Sequence, residues 1–238
     1  MTGTRTEPAN PRRSSSDAAS HHLALMLTLT FVTGLVDAGG FLGLDRVFVG
    51  NMTGNVVILG MGAAGAEELP VLGPAIALAT FVFGAGVAGL SLRSAASGWS
   101  RRLTAVGTAS VLMVAATAVL TALAPTDPGV VTLSAALTAC AMGIQAALAR
   151  KVGVADVTTV VVTSTITVWA TDMFARPRRT TILNRRLAAI VSILLGALVG
   201  ALLSTVALWL VFAIAAGIGA VVVAMGHRSA VSRVRGAL

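Results

Sequence analysis

The sequence predicts an all-α membrane protein of six net crossings, an inverted 3+3 repeat with discontinuous first and fourth segments. Three observations predict it. Of 238 residues, 56% are hydrophobic and 11% charged, against roughly 25% charge in an ordinary soluble domain, so lipid must solvate most of the surface. The arginines gather in every second loop between the apolar runs. Two of the crossings consume more than forty residues each, where about twenty suffice.

Residues 1–22 are polar, carry Pro8, Pro11 and Ser14 to Ser16, and read as a disordered tail. Arg12-Arg13 ahead of the apolar run from Leu23 mimics a secretory or twin-arginine signal. Ser14, Ser15, Ser16 and Asp17 follow with no apolar pair close behind, so the run reads as a retained first span. Apolar stretches cover 23–44, 47–66, 70–92, 103–124, 129–149, 152–171, 187–204 and 206–226. The charges between them decide which ones cross. Arg5, Arg12 and Arg13 precede the first, and Glu67 and Glu68 precede the third. Arg93, Arg101 and Arg102 follow it, whereas the turn from Pro125 to Gly129 has no base. Arg176, Arg178, Arg179, Arg185 and Arg186 come next. A neutral turn near Ser204-Thr205 precedes the last stretch, and Arg228, Arg233 and Arg235 lie in the basic tail 227–238. Cytoplasmic loops are enriched in Lys and Arg. The domain 23–226 therefore makes six net crossings of the cell's inner (plasma) membrane with both termini cytoplasmic. Trp99 and Trp169 fall near the cytoplasmic edge and Trp209 near the other, as interfacial aromatics do.

The two overlong crossings, 23–66 and 129–171, must each contain a break or a partial re-entry, tolerated only beside protein or a water-filled cavity. They also echo each other. Gly34-Leu-Val-Asp37-Ala38 is followed by Asn51-Met-Thr53-Gly54-Asn55; Gly143-Ile-Gln145-Ala146 is followed by Asp156 and then Thr163-Ser-Thr165. Asp37-Ala matches Gln145-Ala, and Thr53-Gly-Asn matches Thr163-Ser-Thr. Three crossings separate the copies, so repeat one (about 23–124) and repeat two (about 129–226) are opposed. Secondary transporters use this arrangement, with the substrate held where broken helices meet.

At these residues the chain resembles the YoaK family of bacterial integral membrane proteins. The resemblance covers nearly everything after the tail, and its Thr53-Gly54-Asn55 element is fairly specific. In the second half Ser164-Thr165 stands where the resemblance leads one to expect a glycine after Thr163, a change that stiffens that break. The family is a domain of unknown function, so the resemblance implies topology and no activity.

The candidate substrate-binding residues are Asp37, Asn51, Thr53, Gly54, Asn55, Gln145, Asp156, Thr159 and Thr163. A carboxylate in an apolar span costs about 2.5–3.5 kcal/mol on insertion scales, so Asp37 pairs, takes up a proton or lines water. Proton carriage is one reading; capping of a helix break is the other. Asn51, Thr53 and Asn55 supply polar groups around glycines that permit a kink. A half-helix starting near Thr53 would point its amides at an anion or polar ligand, or Thr53 or Asn51 simply N-caps it. Gln145, Asp156, Thr158, Thr159, Thr163 and Thr165 could face the same cavity; threonines in membrane helices often bond only their own backbone. Asp45-Arg46 and Arg150-Lys151 sit in matching connectors as interfacial or entrance charges.

Catalytic and metal sets are not found. His21, His22 and His227 lie in the tails, leaving no histidine at membrane depth for a nucleophile or metal. Asp37 and Asp156 are not at equivalent positions, as a two-aspartate protease would want. Gly84-Ala-Gly86-Val-Ala-Gly89 spells a dinucleotide fingerprint without its strand–turn–helix context; with Gly196 and Gly200 it instead permits close helix packing. Cys140 is a lone packing residue. The net charge of +8 sits in loops, which points to anionic lipid headgroups and away from nucleic acid. The expected function is a small secondary transporter or channel for a small polar or anionic solute, proton-coupled through Asp37, with no cofactor. The alternative is a non-transporting assembly or regulatory partner packing through its glycine faces, with self-association a further option.

Overall fold

The structure, a computed structural model, describes residues 11–66, 69–95, 98–152, 162–175 and 180–235. Among them are eight helices: α1 (Pro11–Gly43), α2 (Met52–Ala63), α3 (Leu72–Leu92), α4 (Arg101–Leu123), α5 (Pro128–Val152), α6 (Val162–Ala175), α7 (Thr180–Val206) and α8 (Leu208–Arg235). They follow the eight apolar stretches one for one. Six contain segments long and apolar enough to cross a membrane. α2, with 12 residues, is about 18 Å long and α6, with 14, about 21 Å, both short of a hydrocarbon core of about 30 Å. The glutamate pair Glu67-Glu68 lies outside the described residues.

Two boundaries differ from the sequence reading. α1 begins at Pro11, inside the stretch read as a disordered tail. Proline suits the first position of a helix, where its missing N–H has no intrahelical partner to lose, and no glycine or proline follows until Gly34. α8 likewise continues to Arg235 through the basic tail, where cations favour the negative end of a helix.

Contacts fix the helix directions. α7 runs parallel to α1: Gly196 lies against Phe31, and Gly200 against Leu35 and Ala38. α8 runs antiparallel to α1, with Val211 at Gly39 and Leu208 at Gly43. α8 is also antiparallel to α4, since Gly107 meets Val223 and Gly219 meets Val111. α5 is antiparallel to α4, where Ser110 donates to the Ala141 carbonyl at 2.9 Å and Thr138 to the Thr117 hydroxyl at 3.0 Å. Hence α1, α4 and α7 point one way, α5 and α8 the other. The core holds Leu35, Val36, Met142, Val211 and Phe212 at one level and Leu25, Met26, Leu103, Leu148 and Val222 at another.

Helices approach closely at several glycines. A side chain on Gly34 would overlap the Ile193 carbonyl of α7, and one on Gly143 the Phe81 carbonyl of α3. Both would also crowd a second backbone atom, the Ala197 and Ala85 amide respectively, at 2.9 Å. Backbones in such contact gain dispersion and weak polar attraction that lipid tails cannot match.

Candidate functional site

After Gly43 the chain turns back on α1. Asp45 and Arg46 adopt left-handed backbone, with φ of 57° and 56°, a conformation costing roughly 1–2 kcal/mol per non-glycine residue. The connector then runs antiparallel to α1: the Val47 carbonyl lies against Gly40, and Gly50 against Thr33 and Asp37. From Gly43 back to Thr33 is ten residues of helix, about 15 Å. α2 starts at that depth, capped by Asn51, whose side chain accepts from the Gly54 amide at 3.3 Å.

Asp37 anchors this arrangement. One oxygen, Oδ1, accepts from the amides of Val49 (2.9 Å), Gly50 (2.6 Å) and Asn51 (3.3 Å). Three successive N–H groups around one carboxylate form an anion nest. Among the described residues, every hydrogen bond to this carboxylate falls on Oδ1. Gly50 permits the approach: a Cβ there would stand 3.0 Å from the Thr33 methyl and 3.5 Å from both Asp37 oxygens. Asn55, with no exposed surface, locks the preceding residue. Its Oδ1 accepts from the Phe48 amide at 2.9 Å, and its Nδ2 donates to the Phe48 carbonyl at 2.5 Å. An extended segment inside a membrane domain must find such partners for its backbone.

The residues predicted from sequence therefore divide. Asp37, Asn51 and Asn55 converge on the break, each bonded to backbone. Gly54 lies under the Phe48 ring, where a side chain would collide with Cδ2. Thr53 is exposed on α2. Gln145 is buried, 8% exposed, but reaches α1 a turn away from Asp37: its Nε2 donates to the Leu29 carbonyl at 3.3 Å and to Thr33 Oγ1 at 3.2 Å. Thr163 is exposed on α6, which among the described residues packs on α7. Asp156, Thr158 and Thr159 lie outside the described residues.

Sequence reasoning missed three features. Phe41 and Phe48 stack, with centroids 4.8 Å apart and rings inclined by 28°. With Asp37, Ala38, Ile193, Ala197 and Ala201 they line an open groove of about 390 Å³ between α1 and α7. The seam between α4 and α5 is polar: Ser110, Thr117, Thr121, Ser134 and Thr138 are all buried, and Ser134 Oγ has no partner among the described residues. The spacing of Thr117 with Thr121 and of Ser134 with Thr138, one turn each, was the available signal. Among the described residues no group of histidine, cysteine and acidic side chains could hold a metal.

Six apolar crossing helices around a carboxylate-held break define a polytopic membrane protein. The chain belongs to the family described as "Protein of unknown function (DUF1275)", which matches residues 25–225. It is 29% identical over 163 residues to the UPF0700 transmembrane protein YoaK of Bacillus subtilis strain 168, covering 67% of this chain and 70% of that protein. No solved structure matches.

Proposed function

We propose that this chain is a small secondary transporter or channel, built as two opposed three-helix halves, that passes a small polar solute at the α1–α2 break with Asp37 as the coupling group. In this reading it lies in the inner membrane with both termini cytoplasmic, and it catalyses no chemical reaction. The observation that carries the proposal is the return of non-helical backbone along α1 to meet the carboxylate of Asp37, about 9 Å inside the helix end, beside an open groove. Irregular backbone at that depth is tolerated where it lines a cavity, and an ionisable residue inside a span marks a functional site by default.

The packing register supports opposed halves. Residues of α1 map to α5 with a displacement of 109 (Phe31 to Cys140, Gly34 to Gly143). Residues of α3 map to α7 with 112 (Phe81 to Ile193, Gly84 to Gly196, Ala85 to Ala197). Under these shifts the α1–α7 contacts of Gly34 and Gly196 become the α5–α3 contacts of Gly143 and Gly84. The α4–α8 crossing maps onto itself, Gly107 with Val223 becoming Gly219 with Val111. The same register pairs Asp37 with Ala146, one residue beyond the Gln145 that sequence matching selects.

One observation favours the alternative of a non-transporting assembly or regulatory partner: among the described residues Asp37 and Asn51 bond only to the chain's own backbone, and Asn55 to the Phe48 backbone and the Met52 sulfur, as a purely structural break would have them. Flux into proteoliposomes separates the two. A transporter moves a solute from a polar panel, and Asp37→Asn, which keeps an acceptor for the amides, abolishes proton coupling. Absence of flux for every solute, with a stoichiometric companion in mild detergent, would leave the partner reading.

A further inference from the structure

The amides entering α2 were the natural place for an anion, but Asp37 already fills them. Val49, Gly50 and Asn51 all donate to Oδ1, so the break presents negative charge to the groove rather than positive. The other lining residues are apolar: small ones (Ala38, Ala197, Ala201) on α1 and α7, and the stacked Phe41–Phe48 pair. Among the described residues no cationic side chain lines this groove.

We propose that the groove binds a small organic cation, an ammonium bearing apolar substituents, with its charge at the free side of the Asp37 carboxylate and its substituents against Phe41 and Phe48. The proposal rests on the transport reading for its purpose but not for its test. Three features favour this ligand class. A carboxylate held by three amides is fixed in position before the ligand arrives, which lowers the cost of binding. Aromatic faces attract cations within about 6 Å, most strongly where water is excluded. The volume, about 390 Å³, lies at the lower end of the range of about 300–1,000 Å³ typical of small-molecule sites. An anion would meet the carboxylate directly, and a neutral sugar would find one acceptor among hydrocarbon. Asp37 sits six residues before the end of α1 at Gly43, about 9 Å inside the helix end, within reach of a solute that enters from that face.

The test is equilibrium binding to the purified full-length protein in nanodiscs, with tritiated benzyltrimethylammonium as probe. Saturable binding is expected, displaced by tetraethylammonium and not by benzoate or by neopentylbenzene, the uncharged isostere. Asp37→Asn should weaken binding about tenfold or more. Ala201→Leu, which fills the groove from α7 and leaves Asp37 itself unchanged, should weaken it as well, and it keeps the test decisive if the aspartate variant does not fold. No saturable binding, equal binding by Ala201→Leu, or competition by benzoate would overturn the proposal. Cation binding without any flux would count against transport and leave this site standing; flux of uncharged solutes without cation binding would do the reverse.

Discussion

Replacing Asn55 by leucine removes both hydrogen bonds that hold the extended connector while keeping the side chain's branching and number of heavy atoms. Asn55 is fully buried, and its bonds of 2.9 and 2.5 Å tie it to the amide and carbonyl of Phe48. Each buried backbone group left unpaired costs roughly 1–3 kcal/mol in soluble proteins, while hydrogen bonds between membrane helices average about 0.6 kcal/mol. For the two together we take about 2 kcal/mol, concentrated in the segment that packs on Asp37. That corresponds to about 30-fold faster amide exchange at Phe48 to Asn51. Hydrogen–deuterium exchange with mass spectrometry on the detergent-solubilised protein reads it directly. Asn55→Asp keeps the acceptor and loses the donor, so it should show an intermediate acceleration. Unchanged exchange in the leucine variant, or acceleration spread equally over α3 and α4, would refute the claim that Asn55 holds the connector locally.

Two further variants probe the packing. Gly34→Val and Gly143→Val should destabilise by similar amounts, each of about 1–3 kcal/mol or more, because each drives a side chain into a facing carbonyl; Gly86→Val, which meets nothing within 4 Å, should stay within about 0.5 kcal/mol of the parent. Denaturation in detergent compares the three. Ser134→Ala should be neutral or slightly stabilising, since it removes a buried hydroxyl without a partner among the described residues, whereas Thr138→Val loses its bond to Thr117 and should cost about 0.6 kcal/mol.

Much of the fold was legible because a bilayer imposes simple rules on composition. The eight apolar runs, the arginine-bearing loops and the excess length of 23–66 each reflect one constraint, and the helices fall where they indicate. Asp37 was legible for the same reason, as a charge where charge is expensive. Its partners were not: they are backbone amides twelve to fourteen residues away, and a backbone N–H carries no letter in the sequence. Asp45 and Arg46 gave no warning of their left-handed turn, since neither is glycine. The Phe41–Phe48 stack depends on that turn and was equally hidden. Gln145 was expected to face the same cavity as Asp37; its reach toward Leu29 and Thr33 follows from the crossing of α1 and α5, which no local pattern encodes. The one-residue difference between sequence match and packing register has the same origin, because helices pack by shape and the best letter match need not be the best fit.

The most direct measurement is the sidedness of the α1–α2 unit. In a Cys140→Ser background, single cysteines at Asp45, Ala66 and Ser94 are labelled in intact cells with a membrane-impermeant maleimide, before and after permeabilisation. A connector that dips to Asp37 and returns places positions 45 and 66 on one face and position 94 on the other. Labelling of 45 and 66 from opposite faces would mean that the short helix crosses the bilayer, and the carboxylate-held break could not be the re-entrant unit on which the proposed function depends.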